Sequence, residues 1–165
     1  TFRVLLEEPV IKSVYSGIGN LRGWAVASDG IEKIEIWIDG AYAFDVPYGG
    51  ARVDVGNAFP EIVGASDSGF ALAWNYNNMS IGAHTITARA YDENGQSGDS
   101  TSEFTVARFE KPFLQAGDQV SLADAQCSLS GSQISLQDAL LDGKIYDILL
   151  DWRTATQGFE IIEVR

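Results

Sequence analysis

Residues 31–47 read IEKIEIWIDGAYAFDVP, and this stretch decides the fold. Ile34, Ile36 and Ile38 alternate with Lys33, Glu35, Trp37 and Asp39, the two-residue period of a strand with one buried face. Asp39-Gly40 follows, and both residue types tolerate positive φ, so the pair suits a two-residue hairpin turn. AYAFDVP then reads as the returning strand and ends at Pro47. With that turn, Ile38 faces Ala41, Trp37 faces Tyr42 and Glu35 faces Phe44. Directly opposed residues share a face. Trp37, Tyr42 and Phe44 are therefore predicted to gather on the side away from the isoleucines.

Strand signals continue on both sides of the hairpin. Upstream, LRGWAVAS (21–28) aligns Trp24 with Val26, and VIKSVYS (10–16) reads as a first strand. Downstream, GFALAWNY (69–76) aligns Phe70, Leu72, Trp74 and Tyr76, and HTITARAYD (84–92) aligns Ile86, Ala88 and Ala90. DENGQSGD (92–99) supplies a turn before STSEFTVARF (100–109), where Phe104 and Val106 align. About seven short strands with turns between them is the pattern of an antiparallel sandwich. YGGARVDVGNAFP (48–60) breaks the alternation and is expected to cross between sheets. Arg52–Ala58 would make one helical turn, and Val53, Val55 and Phe59 would close the open side of the core.

Past residue 108 the pattern changes. KPFLQAGDQ (111–119) looks like a connector, and SLQDALLDG (135–143) is ambiguous between helix and strand. QISLQDA (133–139), KIYDILLDW (144–152) and GFEIIEV (158–164) suggest a small antiparallel sheet, with Tyr146, Ile148, Leu150 and Trp152 on one face. The expected architecture is all-β, a sandwich over 1–108 and a small β module over 109–165. FRVLL (2–6), within a lead-in strand over 1–8, would serve either part.

Composition narrows the function. The 165 residues are 45% hydrophobic and 11% aromatic, as in a globular protein. Twenty-three acidic residues against 11 basic ones give a net charge of −12. Nucleic-acid binding depends on Lys and Arg neutralising phosphates, so that partner class is excluded. Membrane insertion is not expected, because no apolar run approaches the roughly 20 residues of a spanning helix. Cys127 is the only cysteine, which precludes an intrachain disulfide. Thr1 in place of Met, without a signal-like segment, is what a processed or excised piece would show.

YSGIGNLRGWAVAS (15–28), IEIWIDG (34–40), PYGGARVDVGNAFP (47–60), SDSGFALAWNY (66–76) and GAHTITARAYDENG (82–95) follow one another in an order that resembles a bacterial immunoglobulin-like domain. The resemblance covers about residues 9–108. It implies a β-sandwich, an extracytoplasmic location in secreted or cell-surface proteins, and no enzymatic activity. The remainder, ending DWRTATQGFEII, looks like a β-rich module that accompanies such domains. The Cys…Trp…Cys pattern of antibody domains is missing, so Trp24 packs without a disulfide.

Candidate sites are few. His84 is the only histidine, at a strand entry, and no G-x-S-x-G elbow offers it a serine. One His and one Cys do not make a zinc site. GIGNLRG (17–23) departs from a phosphate-binding loop and leads into a strand instead of a helix, so it reads as a turn. Asp92, Asn94 and Asp99 in DENGQSGD, and Asp67 in GASDSG, carry oxygens that calcium takes, and equally the residues of tight turns. Asn78-Met79-Ser80 fits a glycosylation sequon and reads as a turn. The strongest signal is the aromatic hairpin face, Trp37, Tyr42 and Phe44, suited to a sugar ring or a protein partner. The bland alternative is that the C-terminal sheet covers that face. The expectation is a non-enzymatic interaction or spacer module with a protein or glycan partner; the alternative is a carbohydrate-binding module.

Overall fold

The structure is a computed structural model that describes residues 1–109, 119–155 and 157–165. Residues 111–118 of the expected connector lie outside the described residues. The strands are β1 (Phe2–Glu8), β2 (Val14–Tyr15), β3 (Ile18–Ala27), β4 (Ile31–Ile38), β5 (Ala41–Asp45), β6 (Tyr48–Gly50), β7 (Gly69–Asn75), β8 (Gly82–Asp92) and β9 (Ser97–Val106), then β10 (Val120–Ser121), β11 (Gln126–Ser130), β12 (Gln133–Leu141), β13 (Lys144–Arg153) and β14 (Gly158–Val164). One helix is present among the described residues, α1 (Val53–Ala58), with 3-10 turns at Ala65–Asp67 and Tyr76–Asn78. The chain forms two compact units, one of residues 1–13, 18–75 and 82–105, the other of 14–17, 76–81 and 106–165.

The β4–β5 hairpin turns as its sequence requires. Asp39 (φ 50°) and Gly40 (φ 80°) both lie in the left-handed region, and Ile38 pairs Ala41 while Trp37 pairs Tyr42. One residue further the register slips. Ile36 pairs Phe44 and Glu35 pairs Asp45, so Ala43 is a bulge that has no counterpart on β4. This corrects the expected aromatic trio. The extra residue turns Phe44 to the isoleucine side, where its ring lies 5.3 Å from Trp74.

In the first unit one sheet runs β1-β3-β7-β6 and the other β9-β8-β4-β5. FRVLL is thus an edge strand of the sandwich, Leu5 pairing Trp24. The Phe44–Trp74 contact marks the facing sides of the sheets. Trp74 lies opposite Gly19, so strand alternation puts Leu21, Ala25, Phe70 and Leu72 on that inner side. The second sheet contributes Ile34, Ile36, Ile86, Ala88 and Ala90, each 0% exposed. VIKSVYS yields only the two-residue β2, because Lys12 takes a left-handed turn (φ 62°) before it.

Trp24 and Val26 point the other way on β3, and the crossover covers them. Val26, Val55, Ile62 and Ala65 form a buried cluster with Trp24 and Phe59 packed against it, and the Trp24 and Phe59 rings are 5.7 Å apart. The 48–67 stretch therefore covers the outer face of the first sheet and does not close the open side of the inner core, as the sequence led us to expect. Val53 also departs from expectation: a single helical turn directs Val55 inward and leaves Val53 69% exposed. Glycine at 56 lets the helix approach the 65–67 turn closely, since a Cβ would stand 3.0 Å from the Ser66 side chain and 3.1 Å from its backbone.

The second unit carries a five-stranded antiparallel sheet, ordered β10-β12-β13-β14 with β11 also on β12. SLQDALLDG is strand throughout its first seven residues, bent by a bulge between Leu136 and Ala139 where Asp138 takes φ 59°. Tyr146, Ile148, Leu150 and Trp152 share one side of β13, and Trp152 pairs Phe159 with rings 5.3 Å apart. The shorter segments of this unit are tied in by specific bonds. Tyr15 stacks on Tyr76 at 4.5 Å, Val164 N donates to Ser16 Oγ at 3.2 Å, and the Arg108 guanidinium donates to the carbonyls of Asn77 and Met79.

Candidate functional site

The outer face of the β9-β8-β4-β5 sheet holds the densest set of interacting polar and aromatic side chains described in the first unit. Its composition follows from register. Lys33 pairs Tyr91, Glu35 pairs Arg89 and Trp37 pairs Thr87, so the residues between the buried isoleucines and alanines share the outer side.

Glu35 is the hub. It is only 8% exposed, and its carboxylate accepts from Lys33 Nζ at 2.7 Å, Trp37 Nε1 at 3.0 Å and Tyr91 Oη at 3.2 Å. The Lys33 bond, aided by those from Trp37 and Tyr91, outweighs burial and holds the carboxyl below its ordinary range. Around the hub, the Lys33 ammonium lies 4.9 Å from the Tyr91 ring and the Arg89 guanidinium 4.8 Å from the Trp37 ring. Arg89 also makes a two-pronged pair with Asp99, at 2.7 and 2.8 Å, which lowers the Asp99 pKa. Tyr42 stands edge-on to Trp37 at 6.0 Å and is 53% exposed; its hydroxyl donates to Asp45 Oδ1 at 3.3 Å.

Two of the three expected aromatics are thus together, Trp37 and Tyr42, while Phe44 faces inward. Arg89, Tyr91 and Glu35 were missed as site residues, although ARAYD already alternates them against the buried alanines. The Trp37 indole N–H is taken by Glu35 and its ring by Arg89, so the ring most available to a partner is that of Tyr42. Trp, Tyr and Arg are the residue types that anchor protein interfaces.

Asp92 and Asp99, two of the expected calcium residues, are engaged within the protein. Asp92, 2% exposed, accepts the backbone N–H of Asn94 at 3.0 Å and of Gln96 at 2.8 Å, fastening its own turn. Asp99 is held by Arg89. Among the described residues no group of three or more His, Cys, Asp or Glu side chains is placed to hold a metal ion. His84 Nδ1 lies 2.7 Å from Asp39 Oδ2, while Thr85 N donates to Asp39 Oδ1 at 2.9 Å. Burial pushes the Asp39 carboxyl up, but the Thr85 and His84 bonds outweigh it and lower the pKa. The single histidine thereby ties the hairpin turn to the start of β8.

Arg52 makes a second polar clasp. It donates to Glu7 at 3.1 and 2.9 Å and to Asp54 at 2.9 and 2.7 Å, and the Asp54 carboxyl is lowered to about 2, chiefly by the Arg52 bond. The sequence suggested only the local Arg52–Asp54 pair; the bond to Glu7 joins the crossover to β1. An open cleft of about 480 Å³ lies beside it, lined by Arg22, Gly23, Gly50, Gly69 and Ala71 among others.

No protein-family model matches the chain, and no curated protein matches it. Solved structures do. An endo-β-1,4-mannanase from Thermotoga petrophila aligns with TM-score 0.50 and 9% identity over 66% of this chain. The match spans one fifth of that enzyme (20%), and at such identity it shows the fold alone. Fibronectin(III)-like modules of Clostridium thermocellum CbhA align with TM-score 0.41 and 19% identity, covering 64% of this chain and 100% of theirs. CopC from Methylosinus trichosporium OB3b aligns with TM-score 0.38 and 16% identity over 67% of this chain and all of its own (100%). The chain is all-β, an immunoglobulin-like antiparallel sandwich with a further antiparallel sheet.

Proposed function

We propose that this chain is a non-enzymatic, extracytoplasmic interaction or spacer module of a larger bacterial surface or secreted protein. The supporting observation is how its reactive groups are engaged. Glu35 accepts three donors, Arg89 holds Asp99, Arg52 holds Glu7 and Asp54, and His84 is bound to Asp39. Groups engaged in this way brace strands and turns. Within this reading the partner meets the Trp37/Tyr42 face. The test is a screen of the purified chain against glycoside, ester and peptide substrates. Turnover that disappears in a folded His84→Ala variant would overturn the proposal.

A glycan is the alternative partner, favoured by the exposed Tyr42 ring beside Trp37. A glycan array with tryptophan-fluorescence titration checks it. Binding lost in Tyr42→Ala and in Trp37→Ala supports a sugar site; unchanged binding in both removes it.

A further inference from the structure

A different feature lies at one end of the sandwich, where three connections meet: the β3–β4 turn, the 59–64 loop and the β8–β9 turn. They border an open pocket of about 270 Å³. Its floor is aliphatic, made of Val26, Ala27, Ile62 and Ala65, each 7% exposed or less. Tyr48 forms a wall. Its hydroxyl donates to Ala25 O at 2.9 Å, which occupies its polar end and leaves the ring for the pocket. At the rim stand two carboxylates, Asp67 and Glu93, and no Lys or Arg is among the lining residues.

Both carboxylates line this space. The Glu93 side chain lies across Gly30, with Oε1 3.1 Å from where a Cβ on Gly30 would sit, so the absent side chain makes room for it. Asp67 is near enough to Tyr48 to raise the phenol pKa, second to the effect of burial. Asp29, Glu32 and Glu61 flank lining residues in sequence and deepen the negative field. Val63, 99% exposed, adds an apolar lip.

An aliphatic floor, an aromatic wall and carboxylates without a resident cation match one kind of guest. We infer that this pocket binds an organic cation, an ammonium or guanidinium group carried on an aliphatic stem. The stem lies on Val26 and Ile62, the ring of Tyr48 faces the cation, and Asp67 and Glu93 accept its N–H groups. The source is either a Lys or Arg side chain presented by a partner protein or a free small cation.

Titration of the ¹⁵N-labelled chain separates these outcomes. The probes are N-acetyl-arginine amide, N-acetyl-lysine amide, the peptide Gly-Gly-Arg-Gly-Gly and the neutral N-acetyl-norleucine amide. Saturable shifts are expected at the amides of Gly30, Ile31, Val63, Gly64 and Glu93 with the cationic probes, at affinity about threefold or more above norleucine. Glu93→Gln and Asp67→Asn, with unchanged Tm, are each expected to weaken the cationic probes about threefold while leaving norleucine unaffected. Tighter binding of the peptide marks a protein source, and equal binding a free cation. Equal affinity for norleucine, no effect of either substitution, or shifts produced by calcium alone would overturn the inference. None of these results bears on the Trp37/Tyr42 face, since neither Trp37 nor Tyr42 lines this pocket.

Discussion

The two sheets of the sandwich finish their outer faces in opposite ways. On the β1-β3-β7-β6 sheet, Trp24 and Val26 are covered by the crossover, whose Val55, Ile62 and Ala65 complete a buried cluster. On the β9-β8-β4-β5 sheet the outward residues are Lys33, Glu35, Trp37, Arg89 and Tyr91, and they cover one another. The first face resists water by burying apolar area, the second by satisfying charge. A closed apolar face serves folding, whereas a face of paired charges and aromatics stays soluble while open. That difference is why the candidate partner surface lies on the second sheet.

The comparison breaks most visibly at the crossover. Trp24→Ala is expected to destabilise the first unit by about 3 kcal/mol in urea denaturation, since it removes the largest side chain under the lid. Val55→Ala should cost about 2 kcal/mol and Val53→Ala less than about 0.5, because only Val55 is buried. Equal costs for the two valines would mean that the lid does not pack as described.

On the polar face the effects are smaller and depend on pH. Glu35→Gln is expected to lose about 1–2 kcal/mol at pH 7, because Lys33 loses its charged acceptor. The Glu35 pKa is lowered in the folded state, so its contribution is fully present above the unfolded value of about 4.3 and fades as pH falls through the folded value. The gap between wild type and Glu35→Gln should therefore begin to narrow below the unfolded value of about 4.3 and close as pH falls through the folded one. A gap independent of pH would assign the loss to packing.

On this face Arg89→Lys is the milder change, about 0.5 kcal/mol, since the pair with Asp99 is partly exposed. It removes the planar group from the Trp37 ring, and a shift in tryptophan emission is the expected sign. An unchanged spectrum would separate Arg89 from Trp37 in solution.

Much of this was legible in the chain. The alternation of 31–38, the Asp39-Gly40 turn and the inward set Ile86, Ala88 and Ala90 follow from period and turn chemistry, and each stands in the structure. The bulge at Ala43 was not legible, because no residue type at 41–45 demands it. It arises from how β5 meets β4, and it removes Phe44 from the site. SLQDALLDG was ambiguous because its apolar spacing suits both periods, and pairing with β13 decides for strand.

By itself, the sequence determined the class of fold and the hairpin, because these depend on local period and turn residues. Only the tertiary structure decided which face the crossover covers, that Arg52 reaches Glu7, and that Asp67 and Glu93 share one pocket. These join residues distant in the chain, and local spacing carries no signal for such meetings. They depend on how the sheets and connections pack.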